Sequence, residues 1–207
     1  MYIFRRTRTI NPTSDADARA FAVDIAAQAS QVTGRPISPL EMVFGGPAGA
    51  ISWTTPVASL ADLGELQATL AADGAFAKAV AAGAKFFTDN AEDNIFQMIA
   101  NGIETTDSAL YSALSVVARP GAVADAVAFG IKMQAYLQNA GFATAFGPST
   151  YGVFGEVGWI VAADTMAELD TLHEFMASDA GYAALSADAT DLFEPRSGLL
   201  QLSRRIG

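Results

Sequence analysis

Cysteine is absent from this chain of 207 residues, and histidine occurs once, as His173. Without cysteine the chain forms no disulfide and carries no thiolate nucleophile. Zinc and iron–sulfur sites that depend on cysteine are excluded for the same reason. Because one histidine is a poor basis for a zinc site, we expect no resident metal ion. Any side-chain chemistry must come from carboxylates, amides, hydroxyls, lysine, arginine and this single imidazole.

Basic side chains are also scarce. The sequence has 12 lysines and arginines against 22 acidic residues, which gives a net charge of -10. Nucleic-acid binding needs many cations to neutralise phosphates, and docking on an anionic lipid surface needs a basic patch. We therefore expect neither a nucleic-acid partner nor a membrane partner. An acidic balance of this size is typical of plain solubility.

Long hydrophobic runs are missing too. No apolar stretch approaches the roughly 18 residues that span a bilayer. The N-terminal sequence MYIFRRTRTI has no apolar segment after its charged residues, so it does not resemble a secretory signal. These features together favour a cytoplasmic protein.

An internal repeat is the most informative feature that the sequence does contain. Residues 51–87 align with residues 157–193 without a gap, and tryptophan, leucine, aspartate and phenylalanine positions recur between them. The identical pairs include Trp53 with Trp159 and Phe87 with Phe193. A repeat of this length indicates two similar halves, each of about 100 residues and each large enough for a core of its own.

The hydrophobic pattern predicts the same elements in both halves. Period-two alternation indicates strands at 2–10, 39–44, 50–57 and 94–101, and helical spacing indicates helices at 15–33, at 60–70 after a cap at Ser59, and at 74–83. The second half repeats this order up to a last strand at 198–204. We therefore predict an α+β fold of two tandem ferredoxin-like β-α-β-β-α-β repeats, at 1–102 and 109–207, with the polar segment 103–108 as their boundary. Apolar residues on both faces of several strands predict that the two sheets close one pseudo-symmetric α/β barrel.

Two such halves in one chain resemble the dimeric α/β-barrel superfamily in a fused form. That superfamily includes the antibiotic-biosynthesis monooxygenases, the EthD and stress-responsive barrel proteins, the NIPSNAP proteins and the chlorite-dismutase-like haem proteins. The resemblance rests on the order of elements over nearly the whole chain and on no signature motif. It is nearest to the NIPSNAP and monooxygenase members, and it implies a small-molecule ligand and a tendency to form homo-oligomers.

The two tryptophans have two interpretations. Trp53 and Trp159 occupy matching positions on matching strands. In one interpretation both rings project between the sheets and line an aromatic ligand pocket. In the other, each ring packs against the helices of its own half and its indole N–H is hydrogen-bonded there.

Two glutamines also match, in the contexts Phe96-Gln97-Met98 and Leu200-Gln201-Leu202. Alternation puts each glutamine on the face opposite its apolar neighbours. If those neighbours pack on the helices, Gln97 and Gln201 point into the barrel, where buried amides need partners. The partner would be a ligand, or else the other glutamine or water.

Arg6 and His173 are the candidates for charge and for acid–base chemistry. Arg6 lies on the strand face of Tyr2, Phe4 and Arg8, where it would bind a carboxylate or enolate or else extend to solvent. His173 falls near the inward stripe of its helix and would act as an acid or base. The haem-binding relatives place an axial histidine on a helix of their C-terminal half, so the resemblance also makes His173 a candidate haem ligand.

Loops and carboxylates complete the set of candidates. The segment 146–152 reads as a hairpin loop, with Tyr151 as a residue that contacts ligand at the pocket lip. It does not open a helix, so it is not a dinucleotide loop. The acidic groups Asp89/Glu92/Asp93 and Asp188/Asp191/Glu194 match no EF-hand spacing and are predicted to be solvated.

Three functions remain open at this stage. The first is a small-molecule-binding barrel, in its enzymatic form a cofactor-independent monooxygenase that acts on a hydrophobic, oxygen-bearing substrate. The second is a non-catalytic protein whose barrel interior is packed core. The third is a haem protein that uses His173.

Overall fold

The computed structural model describes residues 1–88, 90–104 and 107–207. Asp89 of the first acidic group, and Thr105 and Thr106 of the predicted boundary, lie outside these ranges. The described ranges contain six α-helices and nine β-strands, so the predicted α+β class is confirmed. Within them, no helix combines the length and the apolar character that crossing a membrane requires.

Two compact units make up the described chain. The first unit consists of Met1–Ile95 together with Arg204–Gly207, and the second unit is Phe96–Ser203. The elements of the first are β1 (Tyr2–Thr9), α1 (Asp15–Thr33), β2 (Ser38–Phe44), β3 (Ala50–Val57), α2 (Leu60–Ala72), α3 (Gly74–Gly83) and β4 (Glu92–Gln97), whose last two residues belong to the second unit. Their strands lie in the order β4-β1-β3-β2.

The helix ends of the first unit follow from local chemistry. Helix α1 carries Asp15 and Asp17 in its first turn and ends at Gly34, whose φ of 68° is left-handed and whose N–H bonds to the carbonyl of Ser30. Negative charge near a helix N-terminus and glycine after its last turn are both favourable. The predicted bounds of α1 and of α3 are therefore confirmed.

Helix α2 begins with a side-chain cap. The hydroxyl of Ser59 accepts a hydrogen bond from the backbone N–H of Asp62 at 3.1 Å. The carboxylate of Asp62 in turn accepts hydrogen bonds from the guanidinium of Arg35 and from the N–H of Ala58. The hydrogen bonds from Arg35, and then that from Ala58, lower the pKa of Asp62 to about 2. Loop and helix are thus joined at one carboxylate.

The second unit has a similar sequence of elements. These are β5 (Ala100–Asn101), β6 (Leu110–Val117), α4 (Val123–Asn139), β7 (Thr144–Tyr151), β8 (Glu156–Ala163), α5 (Met166–Ser178), α6 (Ala180–Ala187) and β9 (Leu199–Arg205). The strands lie in the order β9-β6-β8-β7-β5. Helix α5 begins with a side-chain cap, as α2 does in the first unit. The hydroxyl of Thr165 accepts a hydrogen bond from the backbone N–H of Glu168.

Two predicted boundaries differ from the structure. The strand expected at 94–101 is divided into β4 and β5, and β5 has its own partner, since Ala100 pairs with Phe146. The sequence predicts a loop at 146–152, but β7 continues to Tyr151, and its residues from Thr144 to Pro148 pair with β8. Proline and glycine within 146–152 suggested a turn, and cross-strand pairing overrides that preference.

In each unit one face of the sheet is covered by its helices. In the second unit Val157, Trp159 and Val161 alternate along β8 and pack with Leu169 and Leu172 of α5. In the first unit Phe4 and Val57 pack with Leu63 and Leu66 of α2. Alternation along a strand and a three-to-four-residue spacing along a helix produce this arrangement directly.

Candidate functional site

A cavity of about 570 Å³ lies inside the first unit, between its sheet and its helices. Strands β1 and β3 form one wall and helices α1, α2 and α3 form the other. The strand wall consists of Phe4, Arg6, Arg8, Trp53 and Thr55, and Phe87 closes one side. A cavity of this volume is within the range of small-molecule sites.

Strand register explains the polar part of this wall. In the antiparallel pair of β1 and β3, Phe4 is opposite Thr55 and Arg6 is opposite Trp53. Residues opposite each other share a face, and so do residues two apart on one strand. Arg6 and Arg8 therefore reach the same side of the sheet as Trp53, the side that the helices cover.

Arg6 is held in place by an acidic partner. Its Nε and Nη2 atoms donate to the two carboxylate oxygens of Asp93 on β4, at 2.8 and 2.7 Å. Its guanidinium carbon is 5.8 Å from the centre of the Phe4 ring. The hydrogen bonds that Arg6 donates to Asp93 raise the pKa of Arg6 above its usual value, so the side chain is a fixed cation. Both side chains are partly exposed to solvent, which reduces the contribution of this ion pair to stability but does not change its bidentate geometry.

Arg8 stands over an aromatic group. Its guanidinium carbon is 4.6 Å from the ring centre of Phe87, within the range of a cation–π contact. The Phe87 ring meets the Trp53 ring edge to face at 5.8 Å and the Phe21 ring at 6.0 Å. Aromatic rings thus line one side of the cavity, and the guanidinium of Arg8 lies over the ring of Phe87.

The helix wall is apolar and includes very small side chains. Phe21, Ile25, Ala26 and Ala29 of α1 line it, and Leu66 and Leu70 of α2 continue it. Ala26 and Ala29 are 3% and 5% exposed. At Ala26 and Ala29 the cavity is bounded only by methyl groups, so its depth at these two positions depends on the absence of larger side chains.

In the second unit the corresponding space is filled. Trp53 Nε1 donates to the carbonyl of Ala22 at 2.9 Å, and Trp159 Nε1 donates to the carbonyl of Gly130 at 3.1 Å, so the two sites correspond. Opposite Trp159 on β7 lies Phe146, which is fully buried with its ring centre 4.9 Å from that of Trp159. Its counterpart opposite Trp53 is Pro39. The ring of Phe146 thus packs against Trp159, whereas the residue in register with Trp53 has no aromatic ring.

The tight contact between Phe146 and Gly130 leads to a prediction about two helical glycines. A Cβ on Gly130 would lie 1.9 Å from Cζ of Phe146, whereas one on Gly64 in α2 would have no atom within 4 Å. We expect Gly64→Ala to raise the free energy of unfolding by about 0.5–1 kcal/mol through helix propensity. Gly130→Ala should lower it by about 1–3 kcal/mol because the buried ring must move. Urea titrations of both variants check the opposite signs, and equal effects would contradict the packing described.

Comparison with known proteins shows the fold. No model of a protein family matches the sequence, and no curated protein matches it. A solved structure of a proposed monooxygenase from Fusobacterium nucleatum is similar over 100% of this chain and 94% of its own, with a TM-score of 0.70 and 10% identity. This chain has the dimeric α/β-barrel fold.

Two further solved structures are similar to this dimeric α/β-barrel chain. One is an anthrone oxidase-like protein, with a TM-score of 0.65 and 11% identity over 100% of this chain and 91% of its own. The other is a haem-binding protein from Thermus thermophilus, with a TM-score of 0.52 and 11% identity over the same shares of both chains. At these identities the similarity concerns the fold alone.

Among the predicted site residues, Arg6 and Trp53 meet at the cavity. Both line it, and they are direct neighbours across β1 and β3. Trp159 does not line it, because it is packed in the core of the second unit. Both indoles donate to the helix of their own unit, which is the geometry of the packing interpretation. For Trp53, packing on the helix and lining the cavity occur together, since this cavity lies on the helix side of the sheet.

Gln97 and Gln201 point to opposite faces of the sheet, whereas the sequence predicts the same face for both. The Phe96 ring lies 3.6 Å from the place of a Cβ on Gly158, on the sheet face away from the helices, so alternation turns Gln97 toward the helix side. Leu202, in contrast, packs on the helix-side core, so Gln201 faces the other way. Both glutamines are half-buried. Within the described ranges, no hydrogen bond joins the two side chains.

His173 is exposed on α5 and does not lie on the buried stripe. One residue corresponds to about 100° of helix rotation, so a position next to buried Leu172 is turned away from the core. His173 lines neither the cavity of the first unit nor a smaller one of about 180 Å³ in the second. An axial haem ligand needs a large apolar space beside it, and neither of these two cavities offers that space to His173.

Tyr151 is likewise exposed and lies outside the cavity lining. It is the last residue of β7, with 59% of its surface accessible. Sequence reasoning missed Phe87, Ala26 and Gln67 as lining residues. Gln67 is the repeat counterpart of His173 and lies at the cavity rim. Comparing the sizes of corresponding side chains in the two halves would have pointed to Ala26, which corresponds to the larger Gln134.

Proposed function

We propose that the first unit binds a hydrophobic, oxygen-bearing small molecule in the cavity beside Trp53. The observation that supports this most directly is the composition of the lining, which combines apolar side chains with two arginines and contains no carboxylate. An apolar body gains about 25 cal/mol per Å² of apolar surface removed from water. An oxygen with negative charge would be favoured next to the guanidinium of Arg8, and less so next to Arg6, whose charge is already balanced by Asp93.

The enzymatic form of the proposal is a cofactor-independent monooxygenase. Without a cofactor the electrons must come from the substrate, so the substrate needs an activated CH₂ group that loses a proton readily. In the overall reaction that CH₂ becomes a carbonyl while O₂ supplies the carbonyl oxygen and one molecule of water. Solvent water would take the proton, and Arg8 would stabilise the resulting substrate anion, with a smaller contribution from Arg6 because Asp93 balances its charge. The similarity to a proposed monooxygenase and to an anthrone oxidase-like protein supports this form.

The architectural part of the proposal is the tandem repeat. We propose that the chain consists of two ferredoxin-like repeats, 1–102 and 109–207, of the kind that builds such a barrel. The matching indole hydrogen bonds of Trp53 and Trp159 support it. So do the isolated bridges of Ile10 with Phe87 and of Ala118 with Phe193. In this proposal only the first repeat keeps a ligand cavity.

Binding is tested with two ligands of the same shape. We expect isothermal titration calorimetry to show one molecule of 2-naphthoate bound per chain, and 2-naphthylmethanol to bind about tenfold more weakly because it is neutral. Arg8→Gln should remove that difference and leave the affinity for the alcohol unchanged. The matched control is Arg196→Gln, because Arg196 is exposed on a loop of the second unit. Absence of binding by either ligand would contradict the small-molecule site.

Oxidation is tested separately with an oxygen electrode. Anthrone carries an activated CH₂ group between aromatic rings, and its uncatalysed oxidation gives the background rate. If the enzymatic form is correct, the protein raises oxygen uptake above this background and Arg6→Gln lowers the increment. Naphthoate binding without any increment in uptake would instead favour the non-catalytic function.

A further inference from the structure

One wall of the cavity differs most between the two units, and it is the wall formed by α1. The indole hydrogen bonds make Ala22 and Gly130 corresponding residues. Counting along the helices from this pair, Ala26 corresponds to Gln134 and Ala29 corresponds to Leu137. Small side chains in the first unit thus stand where larger ones stand in the second.

The larger residues fill their space completely in the second unit. Leu137 is 4% exposed within a core that also contains Met133 and Phe146. Gln134 is 7% exposed, and its Nε2 donates to the carbonyl of Thr144 at 2.7 Å. Neither side chain lines the smaller cavity of that unit. In the second unit, leucine and glutamine at these positions therefore fill the space that lies in front of the helix.

In the first unit α1 carries only methyl groups at these two positions, although Phe21 and Ile25 of the same helix also line the cavity. Ala26 and Ala29 lie on one face of the helix, three residues apart, and both line the cavity. Their methyl groups leave the space in front of the helix free for a bound molecule. The rings of Phe21, Trp53 and Phe87 line the same cavity, and aromatic side chains of this kind favour a ligand with aromatic rings.

We infer that Ala26 and Ala29 set the size of the ligand that the first unit accepts, and that this ligand is a fused-ring aromatic molecule whose rings extend to α1. The inference depends on the proposed binding function, because it concerns the same cavity. It adds the class of ligand and two specificity-determining residues. It also implies that a larger side chain, taken from the corresponding position of the second unit, should fill the cavity of the first unit.

The test is to replace Ala29 by leucine, the residue at the corresponding position in the second unit. We expect Ala29→Leu to weaken the binding of 2-naphthoate by about tenfold or more, and to abolish the binding of the three-ring anion 9-anthroate. Thermal unfolding should shift upward or stay unchanged, because the new side chain enters empty space and not a packed core. Ala29→Val should give an intermediate loss, which provides a second variant.

The control is Ala27→Leu, the same change on the exposed face of the same helix. It should leave both affinities unchanged. Unaltered binding of both anions to Ala29→Leu, or a marked fall in its unfolding temperature, would overturn the inference. If wild-type protein binds neither anion, the proposed function fails first, so the two failures are distinguishable.

Discussion

Phe146→Ala is expected to lower the stability of the second unit by about 3–5 kcal/mol, the usual cost of truncating a buried phenylalanine. Phe146 is fully buried, and its ring contacts Trp159 on one side and Gly130 on the other. Truncation removes these contacts and leaves a void beside the indole. The neighbours cannot collapse into it readily, because Trp159 is also fixed by its hydrogen bond to the α4 backbone.

The two tryptophans of the chain make this loss measurable in one unit at a time. In a Trp53→Phe background, fluorescence reports only on Trp159 and therefore on the second unit. Urea titrations followed in this way should show a lower midpoint for Phe146→Ala. Phe154→Ala is the matched control, since Phe154 is 92% exposed, and it should change the free energy by less than about 0.5 kcal/mol. Similar effects of the two substitutions would show that Phe146 does not have the structural role assigned to it.

Glu41→Gln is expected to lower the stability of the first unit by about 1–3 kcal/mol. The Glu41 side chain is only 9% exposed, and its carboxylate contacts Nη2 of Arg19 at 2.5 Å and Nη2 of Arg204 at 2.8 Å. The substitution keeps the shape but removes the negative charge between two cations. The cost stays below that of a fully buried ion pair because Arg19 and Arg204 are 36% and 58% exposed.

The measurement uses the other tryptophan. In a Trp159→Phe background, Trp53 fluorescence reports on unfolding of the first unit. Glu92→Gln is the control, because Glu92 is an exposed strand residue of the same unit. A difference between the two variants of less than about 0.5 kcal/mol would mean that the cluster of Arg19, Glu41 and Arg204 contributes no more than an exposed charge.

Much of the fold followed from short-range patterns. The end of α1 at Gly34, the bounds of α3 and the cap of α2 at Ser59 depend on residues within a few positions of each other. Such features are visible in a sequence because backbone geometry and capping act locally. The position of Arg6 beside Trp53 was less accessible, since it depends on the register of β1 with β3.

Several predicted site residues do not lie with Arg6 and Trp53 at the cavity, and one common reason explains this. Tyr151 extends a strand, His173 turns to solvent, and Gln97 and Gln201 face opposite sides of their sheets. Each of these outcomes depends on which face of an element is covered. One residue of register or 100° of helix rotation reverses that face, and periodicity alone does not determine it.

By itself, the sequence determined the absence of cysteine chemistry, the acidic character, the α+β class and the repeat of Trp53 in Trp159. Only the tertiary structure decided that one half is hollow and the other filled. That difference depends on Ala26 and Ala29 lining a common space with Trp53, while Gln134 and Leu137 are buried beside Phe146 and Trp159 in the second unit. These residues are distant in sequence, and the volume between them depends on side-chain packing across strands and helices, which no local pattern records.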